Sequence, residues 1–265
     1  MLRRSVVLLL TIFLANCGEP STKVAIPFVP VFGTRILDCD NAGSAVQLTD
    51  LRLYVSNVQL ITRSGELVDV RLDVDGRWQQ PDLALLDFED GSGACANGTS
   101  DTSMSLRGFA ERADYRGLQF TLGVPFQRNH ADPLQAEVPL GDPAMHWHWR
   151  GGYKFLRAGI RTDDDGFWIH LGSTGCEGTV RNITACRSPN RVTVRLDEFV
   201  PGIDTVAIDL EALLTDTDLV DGVANDCSSG PAEESCEAPF RALGLDLHDG
   251  NARDQQLVFR RKVAN

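Results

Sequence analysis

The sequence predicts a mostly β protein: an antiparallel, Greek-key-like β-sandwich with long disulfide-clipped loops and short helices. Three observations carry this prediction. Roughly eleven short strand-like runs are separated by Gly, Asp and Pro, helical periodicity is weak, and an even set of cysteines remains once the leader is set aside.

Residues 1–17, MLRRSVVLLLTIFLANC, place Arg3 and Arg4 before an apolar run from Val6 to Ala15, the layout of an export signal. The run is about ten residues, well short of the ~20 that a membrane-spanning helix needs, so a removable leader is expected. LANC, ending at Cys17, resembles a bacterial lipobox, although Asn16 is uncommon at its place. Lipidation at Cys17 and a periplasmic location on a bacterial membrane are the expectations, with the lipid as the sole membrane contact.

Strands are expected at 28–37, 51–62, 66–74, 83–88, 103–109 and 115–124, then at 153–162, 167–173, 192–200, 205–214 and 257–263. Short helices are expected around 133–149 and 236–243. IRTDDDGFWIHL (160–171) sets a polar turn between two apolar-rich runs, a hairpin layout. Alternation then puts Phe167, Ile169 and Leu171 toward the core and Trp168 and His170 on the opposite face. In that hairpin His170 is expected opposite about Gly159. It reaches the 145–149 segment only if the chain turns back through 149–152, which Gly151 and Gly152 permit.

Of seven cysteines, six lie beyond Cys17: Cys39, Cys95, Cys176, Cys186, Cys227 and Cys236. In an exported chain an even set reads as disulfides. Cys176 with Cys186 and Cys227 with Cys236 are close in sequence and turn-rich, which leaves Cys39 for Cys95. A thiolate metal site lacks any C-x-x-C spacing. NDCSSGPAEESC (225–236) is expected to be a surface loop clipped by its own disulfide.

The formal charge is −12, and removing the leader with Arg3 and Arg4 takes it to −14. Such acidity repels nucleic acid and anionic headgroups, and admits cations or a basic partner. Roughly 245 mature residues can bury a large core, as one β domain or two smaller ones.

MHWHWRGGYKF (145–155) holds two of five histidines and two of four tryptophans within four positions. In extended backbone His146 and His148 project from one side, ~6.6 Å apart, and can converge on an ion; a helix would turn them roughly 200° apart. Imidazole suits copper, zinc, nickel or iron, and the thioether of Met145 adds a preference for cuprous copper. Trp147 and Trp149 then point the other way unless the backbone bends. His-x-His is short enough to arise by chance, and His130 and His248 read as surface histidines. RTDDDG (161–166) and DVDG (73–76) lack the first acidic ligand of a calcium loop and read as turns. No nucleophile elbow, zincin or phosphate-loop motif is present.

LRLYVSNVQLI (51–61), HWHWRGGYKFLRAGI (146–160), IHLGSTGC (169–176) and NITACRSPNRVTVRLDEF (182–199), in that order, resemble the MbnP-like family of exported four-Cys-motif proteins. The resemblance implies a single β domain over 25–265 and a role in copper handling beside an MbnH-type dihaem protein related to cytochrome c peroxidases. It further implies that the first tryptophan of W-x-W, here Trp147 with Trp149 as its motif partner, is oxidised to kynurenine and enables binding of one cuprous ion (Cu+). Cys176, Cys186, Cys227 and Cys236 correspond to the family cysteines. His146, His148 and His170 are the candidate imidazole ligands beside Trp147. On this reading the protein is a copper-binding protein and the substrate of an oxidase, not an enzyme. Two other readings compete. One is a module stacking a flat ligand on Trp147, Trp149 and Trp168; the other is a copper or zinc enzyme, for which no general base is evident.

Overall fold

A computed structural model describes residues 21–40, 45–162, 166–180, 182–217 and 226–263. The leader, Cys17 and the tip of the 160–171 turn therefore lie outside the described residues. The first strands are β1 (Ser21–Phe32), β2 (Arg35–Ile36) and β3 (Gln47–Thr62), then the short β4 (Leu67–Asp69), β5 (Arg71–Leu72) and β6 (Gln79–Gln80). β7 (Leu83–Asp87), β8 (Ser105–Glu111) and β9 (Tyr115–Leu122) lead into a single helical turn, α1 (Phe126–Asn129). β10 (His146–His148), β11 (Gly152–Arg161), β12 (Gly166–Gly172), β13 (Thr174–Thr179) and β14 (Asn182–Ser188) follow. The C-terminal part holds β15 (Val192–Asp197), β16 (Thr205–Asp209), α2 (Leu210–Leu214), α3 (Glu237–Ala242) and β17 (Phe259–Lys262).

The fold is mostly β, as expected, with two large sheets around one core. The smaller runs β17-β16-β1-β8-β5; the larger runs β10-β11-β3-β7-β6, with β12 on β11 and β9 joining β3 to β15. β8 and β15 alternate buried and exposed residues because one face of each meets the core. β3 is buried along most of its length, since β11, β7 and β9 all pair with it. Aromatic rings tie the layers together: Phe120 on β9 meets Phe28 at 5.7 Å and Phe259 at 5.4 Å, both edge-on. Among the described residues no helix is long and apolar enough to cross a membrane.

Several local expectations are corrected. No helix forms at 133–149: Pro133, Pro139 and Pro143 interrupt it, and Asp132 and Asp142 accept the N–H groups of Leu134 and Ala144 in tight turns. The 205–214 run is a strand only to Asp209, whose carboxylate caps α2 by accepting from Glu211 and Ala212 N–H. The 28–37 strand begins at Ser21 and breaks after Phe32, while 66–74 splits into β4 and β5. The polar β13–β14 ribbon has no apolar alternation to reveal it; Cys176 and Cys186 face each other across its ladder. Antiparallel order is also broken where β1 lies parallel to β16. The expected helix at 236–243 is present as α3.

Cys39–Cys95, Cys176–Cys186 and Cys227–Cys236 are bonded. Phe120→Ala should cost about 3–5 kcal/mol, read as a lower urea midpoint with unchanged slope. A loss under ~1 kcal/mol would contradict the packing described.

Candidate metal centre

The site is built on a chain reversal. β10 lies antiparallel to β11, with His146 opposite Tyr153 and His148 opposite Gly152, and the ladder is irregular between the two pairs. That irregularity bends the strand, so Trp147 shares a pocket with His148 instead of pointing away from it. The fully buried Asn129 pins the reversal: its Oδ1 accepts from Tyr153 N at 3.0 Å and its amide donates to the Gly151 carbonyl at 3.3 Å. Gly152 passes beneath it at φ +77°, where a Cβ would lie 2.2 Å from the Asn129 carbonyl oxygen. No other residue fits there.

β12 supplies the second wall. The hairpin with β11 forms, but its register differs from the expected one: His170 lies opposite Arg157, and Trp168 opposite Gly159. An irregularity between Lys154 and Leu156 then brings Gly172 opposite Lys154. A Cβ on Gly172 would come within 3.0 Å of the Trp147 ring, so the missing side chain lets the indole lie against β12. The Trp147 ring centre is 6.3 Å from both the His148 and His170 rings. Along the outer edge of β12 runs the loop clipped by Cys227–Cys236. His170 N donates to Cys227 O at 2.8 Å, and Ser229 Oγ donates to His170 O while accepting from Gly172 N. A cavity of about 230 Å³ opens over Trp147, bordered by His148, Arg150, Ser173, Thr174, Cys176 and Ser228.

The imidazoles differ in readiness. His170 Nε2 is buried and has no hydrogen-bond partner. Burial, then the positive charges of Lys154 and Arg157, push the pKa of His170 down to about 4, so the ring is held neutral, the form that ligates metals. His148 Nδ1 accepts from Arg150 N and Gly151 N, both at 3.2 Å, which places the proton of its neutral ring on Nε2. His146 meets Tyr153 edge-on at 5.3 Å, and burial, followed by His148 and Lys154, lowers its pKa. His146, His148 and His170 do not converge on one point: among the described residues the groups of three or more donors close enough to share an ion are His130 with Cys176 and Cys186, and Cys227 with Glu233 and Cys236. His170 offers a free nitrogen as it stands, and His148 offers one once a ring nitrogen is released.

Other expected participants lie elsewhere. Met145 is fully buried in the apolar core, so its thioether packs there. Trp149 is exposed beneath the Arg150 guanidinium, and Trp168 packs against Gly159. The three tryptophans therefore do not line one stacking strip. His248 is exposed, but His130 is half-buried between Asn129 and Cys186, contrary to the surface role expected of it.

Sequence reasoning missed Asn129 and the charged row behind His170. Asp50 binds Arg157 at 2.5 Å and Arg52 at 3.0 Å, and Arg52 reaches Glu89 at 3.3 Å. Burial, and then Asp50, push the pKa of Glu89 up to about 9. An acid and a base two residues apart at 50–52 give no motif; only the fold reveals their burial.

The MbnP family model matches residues 21–230. The solved structure of MbnP from Methylosinus trichosporium superposes with a TM-score of 0.79 at 26% identity, covering 93% of this chain and 100% of that one. No curated protein matches.

Gly152→Ala should lower thermal stability and loosen the 149–152 turn, seen as faster amide exchange at Tyr153; unchanged exchange would contradict the pinned reversal. His170 should titrate near pH 4 by NMR. As its folded pKa lies below the usual 6.5, the unfolded chain takes up the proton first, and the His170 contribution costs stability as pH falls from 6.5 toward 4. A midpoint near 6.5 would mean a solvated ring.

Proposed function

The chain belongs to the MbnP family, and on that premise we propose that it is an exported copper-binding protein whose Trp147 is oxidised to kynurenine. Its partner in this reading is a dihaem peroxidase-like protein, and its cargo is one cuprous ion held at modified Trp147, His170 and His148, with His146 adjoining. The protein is the oxidation substrate and the carrier, not the catalyst. It serves copper storage, delivery or acquisition from a periplasmic position, anchored by lipid at Cys17.

The observation that carries this reading is the buried, unpartnered Nε2 of His170 on a neutral ring that touches Trp147. Leaving a buried nitrogen unsatisfied is costly, so a ligand that accepts its lone pair accounts for its position. The chemistry of Trp147 fits the same point. An indole offers one N–H donor and no useful acceptor. Oxidative opening, with net gain of one oxygen and loss of one carbon, gives an aryl amine and a ketone on a more flexible side chain. The ring from which those groups would form lies 6.3 Å from the His148 and His170 rings, and the cavity of about 230 Å³ over it is bordered by His148.

Softness decides the ion. Imidazole and aryl-amine nitrogens suit cuprous copper, while the carboxylates that favour calcium or magnesium are absent from the cavity border. The acidic surface assists by attracting cations over distance.

Peptide mass spectrometry of protein from its native source, with metal analysis of the same sample, should find kynurenine at Trp147 together with copper. Trp147→Phe, co-produced with the dihaem partner, should abolish retained copper, and His170→Ala should weaken it by about tenfold or more. Full copper occupancy with intact Trp147 would overturn the modification step, and full occupancy in the His170 variant would remove that ligand.

A further inference from the structure

Behind the wall of the Trp147 cavity lies a second group of soft donors. His130 Nε2 is 3.5 Å from Cys186 Sγ, and a ring nitrogen of His130 and the sulfurs of Cys176 and Cys186 all lie within 4.8 Å of one another. While the disulfide is closed, neither sulfur is a thiolate, so the cluster cannot hold a metal. We propose that Cys176–Cys186 is a reducible pair and that, once it is opened, its two thiolates and His130 bind a cuprous ion at a site that adjoins the Trp147 pocket through Cys176 and uses none of the ligands assigned there.

Access distinguishes this pair from the others. Cys39, Cys95, Cys227 and Cys236 are all at most 3% exposed, whereas Cys186 is partly exposed on the β13–β14 ribbon. Thiol–disulfide exchange requires in-line approach to a sulfur, so Cys186 is the one open to attack. The ribbon also preserves geometry after reduction. Cys176 and Cys186 are direct ladder partners, flanked by the Thr174–Ser188 and Glu177–Ala185 pairs, so backbone hydrogen bonds keep the thiols facing each other.

His130 is arranged as a ligand. Its Nε2 lies 3.5 Å from Cys186 Sγ and accepts from the Asn129 amide at 3.2 Å, so Nε2 is the unprotonated nitrogen of the ring and binds a metal by exchanging that amide contact for the ion. Its other nitrogen, Nδ1, is buried and makes no hydrogen bond. Two thiolates and an imidazole select cuprous copper over hard cations. The comparable group Cys227, Glu233 and Cys236 is a poorer one: both sulfurs are fully buried, and the carboxylate already accepts from Ser228 N at 2.7 Å.

The opening step balances with a dithiol reductant. Its thiolate attacks Cys186 Sγ, the Cys176–Cys186 bond breaks as a mixed disulfide forms, and its second thiol resolves that bond. Two electrons pass to the protein, leaving two cysteine thiols here and a disulfide on the reductant. Metal binding then releases the two thiol protons.

The test uses the full-length Trp147→Phe protein, so the modified-tryptophan site contributes nothing. It is reduced mildly with dithiothreitol, desalted without oxygen, and titrated with cuprous ion against a chromophoric chelator beside an oxidised control. Alkylation mapping should find Cys176 and Cys186 labelled first. The reduced protein should take one more cuprous ion than the control, with a near-ultraviolet thiolate-to-copper band, and His130→Ala should weaken that ion by about tenfold or more. The Cys176→Ser, Cys186→Ser double variant should lose the extra ion, and so should reduced protein alkylated at these two cysteines, which controls for misfolding of the variant. Equal stoichiometry in both redox states, prior opening of another disulfide, survival of the extra ion in the blocked proteins, or indifference to His130→Ala would each overturn the proposal.

Discussion

The reversal of the chain at Gly151–Tyr153, held from behind by the buried amide of Asn129, is the constraint on which the site depends. Without it β10 would continue away from β11, and Trp147 would lie far from His170. The amide is fully enclosed, so its hydrogen bonds to Gly151 O and Tyr153 N are made in a water-poor setting where losing either leaves a costly orphan. Gly152 completes the constraint by removing the one atom that would collide with Asn129. The short helical turn α1 has its place in the fold for the same reason: it delivers Asn129 beneath the turn and His130 against Cys186.

A second layer of control comes from buried charge. Asp50, Arg52, Arg157 and Glu89 form a row along β3, β11 and the segment after β7, and each ionised member has an opposite charge beside it. Such a row adds little net stability compared with apolar packing, but removing one partner would strand a charge. Its effect on the site is electrostatic. Arg157, directly across the ladder from His170, disfavours a proton on that ring while Asp50 prevents the guanidinium from standing alone. Protonating Glu89 is how the cluster accommodates two carboxyls in one dry pocket.

The legibility of this protein follows from the range over which each signal acts. Strand alternation is local, so β8, β9, β11, β12 and β15 could be placed from the residues alone. Cysteine spacing was informative where the pairs are close, as at 176–186 and 227–236. His146, Trp147, His148 and His170 stood out by chemistry, but their assembly did not: one irregularity in β10 and another in β11 shift the register enough to bring His170 near Trp147. A period-two pattern carries no information about such slips. The 133–149 segment misled because its scattered apolar residues imitate a helix while three prolines forbid one. Asn129 was silent altogether, since a lone asparagine after a helical turn has no distinguishing neighbourhood in sequence.

The arrangement imposes an order on the proposed function. Before modification the indole lies on Gly172 with no acceptor to offer, and His148 has its Nδ1 engaged by two backbone N–H groups. His170 presents a buried nitrogen with no hydrogen-bond partner. Folding therefore comes first, because the neutral imidazole and the cavity are products of the sheet and its clipped loop. In the proposed sequence oxidation comes second, and Trp147 is partly exposed beside the exposed Trp149 turn, where a partner could reach it. Metal capture would come last in that sequence, when the opened side chain supplies donors that the twenty encoded side chains do not offer at this position. Under the proposed function such a scaffold would withhold its metal site until an external reaction completes it, and the modification itself would be the switch between empty carrier and loaded one.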